Sequence, residues 1–390
     1  MPLKINNFTS AKNISMEELI RLRHELHRNP ELSGQERATG KRIRFYLNKY
    51  RPDELLTGIA GEGMAAVYNG EEAGPTVLFR CDMDALPIQE AVNRMHMSSV
   101  PGVAHVCGHD GHMVMVSGLA AKIKRNPIKK GRVILFYQPS EENGQGARKS
   151  IERLKDLNLY PDYAFAFHNM PKYPLGSIVL SKDTFAAASK GLIIKLIGKD
   201  SHAAYPEKGL NPALAIAKIT HELCELTSRE VFSRFVMLTI IHIRLGEVAF
   251  GTSPGHGEIM ITLRSFNDDD MEKLTEMAIG IARNIGVDHG LAVETSITDD
   301  YPAAVSNASM LKLVREVAAS QNIQTVDLDE PNRWSEDFAN FTQQGPSLLM
   351  GLGVGEDVPD LHSPDYDFPD EAVQIGVAFL DSIVTRMLRE

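Results

Sequence analysis

Apolar positions recur along this chain with two different periods, and the changes of period divide it. From Ile14 to Lys49 the spacing is helical. Leu19, Leu22 and Leu26 share one face, Ile43, Tyr46 and Leu47 another, and Asn29-Pro30 separates them. The run predicts two helices, and Ser33 and Glu36 have the spacing of a capping box at the start of the second. His24, Glu25, His27 and Arg28 read as a solvated helix face. Shorter runs predict strands at Met64 to Tyr68 and Thr76 to Arg80, joined by the turn-like stretch Asn69 to Pro75. His112 to Lys124 predicts a buried helix, ended by Asn126-Pro127. Gly131 to Gln138 is nearly continuous in apolar residues, which suits a strand covered on both faces. A helix over Gly146 to Leu157 and a strand over Tyr163 to His168 follow. Strand alternating with helix argues for α/β layers.

Beyond Asp183 the character changes. Ser189 to Gly198 alternates, with Leu192, Ile194 and Leu196 against Ile193, Lys195 and Ile197. Asn211 to Leu226 predicts a helix with Pro212 in its first turn. Arg234 to Leu245 and Gly257 to Phe266 predict strands, Asp268 to Ile285 an amphipathic helix, and Gly290 to Ile297 a last strand. The order β-α-β-β-α-β is that of a ferredoxin-like unit. It predicts an α+β domain over residues 186–299, inserted between the two parts of an α/β domain, residues 1–185 and 300–390. The second part holds a helix over Ala308 to Ser320, a strand over Ser347 to Leu352 and a closing helix from Asp370.

Length agrees with this division, since 390 residues are long for one core. Hydrophobic residues at 43% and charged residues at 24% mark a globular chain. A formal net charge of -10 disfavours a nucleic-acid partner, which needs a basic face. No apolar run approaches the roughly 18 residues that a membrane span requires, and Met1 to Glu18 lacks the apolar core of a secretory signal. Cys81, Cys107 and Cys224 are the three cysteines and form no C-x-x-C pair. A disulfide framework is therefore not expected, and the expected location is the cytoplasm.

Chemistry gathers where apolar runs end. Phe79-Arg80-Cys81-Asp82-Met83-Asp84 closes one, His105-Val106-Cys107-Gly108-His109-Asp110-Gly111-His112 opens a helix, and Gln138-Pro139-Ser140-Glu141-Glu142 closes another. His168 ends a strand, and His362 sits in Asp360-Leu361-His362-Ser363-Pro364. Ligand sites of open α/β sheets lie beyond the carboxyl ends of the strands, so Cys107, His109, Glu141, Glu142, His168 and His362 can converge. Two adjacent buried carboxylates are costly without a counter-charge, and a bound cation supplies one. Each histidine alone reads as a satisfied core or loop residue rather than a ligand, and the two glutamates alone read equally as an exposed turn.

Together these motifs resemble the M20 metallopeptidase family, in particular its amidohydrolase branch of aminoacylases, hippurate hydrolases and auxin-conjugate hydrolases. The resemblance runs from about Arg21 to the C-terminus and takes in Phe167 to Pro171, Ser201 to Pro206, Ser335 to Phe338 and Leu361 to Pro364. It implies a zinc-peptidase-like catalytic domain, with helices around a mixed sheet, and a ferredoxin-like lid that is often also a dimerisation surface. Two divalent metal ions per subunit are implied, with Cys107, His109, Glu142, His168 and His362 as ligands. Cys107 would bridge where other branches use an aspartate. Glu141 would be the general base, Asp84 and Asp82 would orient ligands, and His202 would polarise the substrate carbonyl from its own or a partner subunit. A thiolate beside imidazole and carboxylate suits zinc, cobalt or nickel, with manganese also allowed. Arg264 on a lid strand is a candidate for meeting a substrate carboxylate.

The implied reaction is hydrolysis of the amide of an N-acyl amino acid or related small amide by a metal-activated water. The implied partners are that small molecule and a second copy of the chain. A dipeptidase or carboxypeptidase of the same family is the nearest alternative. A cysteine hydrolase using Cys107 as nucleophile leaves Glu141, Glu142, His168 and His362 without a joint role. A binding protein with a structural metal leaves Glu141 unused beside a full ligand set. One departure concerns the lid: Gly251 in Phe250-Gly251-Thr252-Ser253-Pro254 stands where the family usually has an asparagine. Tyr205, Phe250, Trp334 and Tyr366 are candidates for a pocket wall or for core.

Overall fold

The computed structural model describes residues 16–228 and 230–390. The chain opens with helices α1 (Met16–Arg28) and α2 (Arg37–Asn48). Strands β1 (Glu54–Ile59), β2 (Gly63–Asn69) and β3 (Glu72–Asp82) follow, then α3 (His109–Arg125), β4 (Lys130–Gln138), α4 (Gly146–Asp156) and β5 (Tyr163–Pro171). Next come β6 (Ile178–Leu180), β7 (Thr184–Ala186), β8 (Ala188–Ile197), β9 (Ser201–His202), α5 (Ala213–Leu226), β10 (Val236–Leu245), β11 (Thr252–Ser253), β12 (His256–Ser265), α6 (Asp268–Asp288) and β13 (Ala292–Tyr301). The last part holds β14 (Ala304–Val305), α7 (Ala308–Ser320), β15 (Thr325–Asp327), α8 (Ala339–Thr342), β16 (Ser347–Gly355) and α9 (Asp370–Val384).

Eight strands form one mixed sheet in the order β1-β2-β4-β3-β5-β16-β6-β15. Its centre, β4-β3-β5-β16, is parallel, while β2 joins β4 antiparallel. Alternation along the central strands fills two cores. Val77 and Phe79 of β3, with Val133 and Leu135 of β4, pack under α1, α2, α3, α7 and α9. Leu78, Ile134 and Phe136 face the other way, onto Ile151 and Leu154 of α4 and Phe338 and Phe341 around α8. Both faces are therefore covered, and the continuous apolar run at β4 is the sequence trace of that.

A second, four-stranded antiparallel sheet has the order β10-β12-β8-β13. Leu192, Ile194 and Leu196 of β8 and Ile259, Ile261 and Leu263 of β12 pack on α5 and α6 through Ile219, Leu223, Leu274 and Ala278. With strands in this order and two helices on one face, the unit is ferredoxin-like. β7 pairs with β14 at Ala186↔Ala304, beside the stretches that lead into and out of this sheet. Among the described residues no helix is long and apolar enough to cross a membrane.

The first helix is described from Met16, and its expected start at Ile14 lies outside the described residues. Two local expectations change. Ser33 and Glu36 form no capping box. Glu36 is itself the residue before α2, its Oε1 accepts from the N–H groups of Gly34 and Ser140, and Ser33 Oγ donates to Asp84 at 2.7 Å. His27 is not on a solvated face. It is fully buried, its Nδ1 2.9 Å from Asp110 and its Nε2 3.4 Å from Glu90.

Candidate metal centre

The carboxyl ends of β3, β4 and β5 meet the first turn of α3, and each brings a functional group. β3 ends in Asp82, with Asp84 two residues on. Glu141 and Glu142 follow β4, and His168 lies in β5. Cys107 precedes α3 and His109 is the helix's first residue. Gly108 between them has φ 89°, and a Cβ there would lie 2.7 Å from the Asn169 side chain. Only glycine takes that conformation so close to a neighbour without strain. His362 arrives on a loop whose main-chain N–H donates to Val106 O at 2.9 Å, and it holds a left-handed φ of 64°.

These side chains converge. The ligand atoms of Cys107, His109 and His168 lie within 4.8 Å of one another, as do those of Cys107, Glu142 and His362, and those of His109, Glu141 and Glu142. Cys107, His109 and Glu142 each belong to two of these three groups, so the groups overlap in one cluster. Its Sγ is 3.7 Å from His168 Nε2, while Glu142 Oε1 is 3.7 Å from His109 Nε2 and 3.8 Å from His362 Nε2. The tautomers are set from behind. Nδ1 of His109 lies 2.9 Å from the carbonyl oxygen of Asp84, and Nδ1 of His168 lies 3.0 Å from that of Asn169. A carbonyl only accepts, so both Nδ1 atoms carry the proton and both Nε2 lone pairs point at the cluster.

A divalent cation fits these donors on two grounds. His109 Nε2, Glu142 Oε1 and Asp84 Oδ1 are buried and find no hydrogen-bond partner among the described residues. The charge balance points the same way. Burial pushes Glu141 well above the carboxylate range, and the neighbouring Glu336, Glu142 and Asp337 push it further. Burial lifts Glu142 to about 7, against the opposing His109. The Cys107 thiol is also pushed well up, by burial first and then by Glu142. His168 falls to about 4, mainly through burial and then through His112, so its imidazole is neutral and able to ligate. A site this rich in acids calls for positive charge, and Arg80, a fully buried guanidinium beside it, is already bound to Asp82, Glu336 and Asp337.

The remaining sequence candidates divide. Asp82 accepts from His112 Nδ1 at 2.7 Å and from Arg80 at 2.8 Å; its Oδ2 lies 3.6 Å from His109 Nε2. Asp84 accepts from Ser33 Oγ and, at 2.9 Å, from the Glu142 N–H. His202 lies elsewhere, exposed on β9, which pairs with β11 at Thr252↔His202. Its described contacts are local, to the Ala204 N–H and the Tyr205 ring. Gly251 immediately precedes β11 of the same strand pair, its carbonyl accepting from Ala203, and a Cβ there would meet nothing within 4 Å. Arg264 donates to Arg333 O at 2.7 Å and to Ser335 Oγ at 3.0 Å. Of the candidate pocket aromatics, Tyr366 is buried core, Phe250 and Tyr205 are exposed, and Trp334 lies 4.7 Å from the His168 ring.

Sequence reasoning gave no role to Arg80, Glu336 or Asp337; Arg80 reaches Asp82, Glu336 pairs with Arg80, and the Asp337 N–H donates to Glu141. Arg80 had a signal: a guanidinium inside the apolar run Val77 to Cys81 is buried and needs acids. A second cluster, His27, His96 and Asp367, has metal-ligand spacing. There the Arg23 guanidinium lies 2.9 Å from Asp367 and 3.3 Å from His96, so it already supplies the cation.

Residues 78–386 match the sequence profile of Peptidase family M20/M25/M40. The chain is 29% identical to N-acetylcysteine deacetylase of Bacillus subtilis, over 95% of this chain and 97% of that protein. It is 31% identical to IAA-amino acid hydrolase ILR1-like 2 of Arabidopsis thaliana, over 99% and 89%. Among solved structures, a dinuclear metal binding peptidase of the M20 family from Bacillus subtilis superposes with a TM-score of 0.82 at 27% identity, covering 96% of this chain and 98% of that one.

Proposed function

The chain belongs to peptidase family M20/M25/M40 and is a metal-dependent amidohydrolase; from that premise we propose that it cleaves the amide bond of small N-acyl amino acids, with Glu141 as general base at a pair of divalent cations. One observation carries the reading. Five potential ligands converge from four separate segments, some with buried polar atoms that find no hydrogen-bond partner among the described residues, and a sixth group, the Glu141 carboxyl, lies buried beside them. A closed structural site has no use for such a group.

Cys107, His109, Glu142, His168 and His362 would hold the cations, with zinc, manganese, cobalt or nickel as the metals. Bound there, the cations supply Lewis acidity, lowering the pKa of a water towards 7 and polarising a carbonyl. Asp82 and Asp84 keep the ligands aimed. Glu141 accepts the proton of the attacking water and returns it to the leaving amine nitrogen. A cysteine nucleophile is disfavoured by the environment of Cys107, which raises the thiol where a nucleophile needs it lowered.

The antiparallel unit, residues 186–299, is proposed as lid and dimerisation surface, and His202 as a polarising group working in its own or a partner's site. Arg264 is proposed to receive the substrate carboxylate. Its present partners are neutral, and burial lowers its pKa with no described carboxylate in opposition. Glu141→Gln tests the core of the reading. The variant should bind metal as the parent does and lose about 10²–10⁴-fold in kcat on an N-acyl amino acid. Unchanged turnover would mean that another group moves the proton.

A further inference from the structure

Glu141 must point at the reacting amide while carboxylates around it repel its charge. Its Oε1 lies 3.3 Å from the main-chain N–H of Asp337, 196 residues away in sequence. Residue 337 is itself held from several sides. Its carboxylate accepts from Arg80 Nη2 at 2.8 Å, from Gln138 Nε2 at 2.8 Å on each oxygen, and from the Ala147 N–H at 2.8 Å. Those donors come from β3, the last residue of β4 and the first turn of α4. Glu141 lies in the loop between β4 and α4, where the Gly146 N–H donates to Ser140 O at 3.0 Å. The Asp337 side chain thus grips both ends of the loop that carries Glu141, and its main chain reaches back to the Glu141 carboxylate. Arg80 makes this bracket affordable, because the same guanidinium also faces Asp82 at 2.8 Å and Glu336 at 3.0 Å.

We propose that Asp337 is a positioning residue for the reaction: it holds Glu141 towards the substrate amide through its main-chain N–H, with Arg80 as the counter-charge. The inference rests on Glu141 being the base. Asp337 is completely buried and acts only through Glu141, without touching substrate.

A double-mutant cycle tests it. Glu141→Gln, Asp337→Ala, Asp337→Asn and both double variants are compared in the metal-loaded enzyme for kcat, KM on an N-acetyl amino acid, metal content and melting temperature. Asp337→Ala should lower kcat by about 10²-fold, the usual penalty for a displaced catalytic group, with metal content and KM nearly unchanged. Asp337→Asn keeps one carbonyl acceptor and should fall between; it carries the cycle where the alanine variant does not fold. In the Glu141→Gln background either change should cost less than about threefold, since groups that act as a unit are not lost twice. Losses that multiply with Glu141→Gln, or that appear in KM or metal content instead of kcat, would overturn the proposal. A Glu141→Gln enzyme with parental kcat would remove the base and the bracket together, and that outcome is visible before Asp337 is touched.

Discussion

A thiolate, an imidazole and a carboxylate do not prefer the same cation, and Cys107 is the soft member of this set. The sulfur is buried, its thiol is pushed up by burial and by Glu142, and only a cation strong enough to displace the proton uses it fully. Cys107→Asp should therefore still bind metal, but with its preference moved from zinc towards manganese. Cys107→Ala should lose most of its bound metal. Competitive titration of the two variants with both ions measures this; an alanine variant binding as tightly as the parent would remove Cys107 from the ligand set. Most candidate ligands were legible as residues because each stands at an abrupt end of an apolar run. The partners that hold them were less so. Asp84 O, Asn169 O and the Asp337 N–H act through the main chain, where residue type carries no signal.

At the level of elements, α1 and α3 are joined by charge as well as by apolar packing. Arg23 and His27 of α1 both reach Asp110 in the first turn of α3, at 2.9 Å each. Burial alone would lower His27, but Asp110, with Glu90 and Asp367 beyond, lifts it to about 9. A group raised in the folded state stabilises fully below its unfolded pKa, near 6.5, and loses that contribution as pH climbs through 9. Asp110 is depressed far below the carboxylate range by His27 and Arg23, so its share is present above about 4 and lost in acid. His27→Gln should cost about 3 kcal/mol of unfolding free energy at pH 6, and the gap should close above pH 9. A gap independent of pH in denaturant titrations would contradict this. The helical period placed His27 on the same helix as the core leucines yet read it as solvated, because its hydrogen-bond partners lie 63 and 83 residues away. Strand β1 escaped notice for a related reason: it is an edge strand with a single buried residue and no clean alternation.

Over the whole molecule, period and order were enough for the architecture. Strand runs covered on both faces predicted α/β layers, the family resemblance implied that the sheet is mixed, and β-α-β-β-α-β predicted the second sheet with its helices. How the second unit serves the first was not legible. His202 and Arg264 stand on strands of ordinary pattern, and their usefulness depends on what approaches them. The parallel centre of the large sheet delivers the donors to one end, and the central claim is that they hold a working pair of divalent cations. The most direct test is to count metal in the purified protein and to follow hydrolysis of an N-acyl amino acid as metal is stripped and returned. Two equivalents per subunit, loss of turnover with chelator and recovery on adding zinc or manganese are predicted. Full turnover by protein shown to be free of metal would contradict the account.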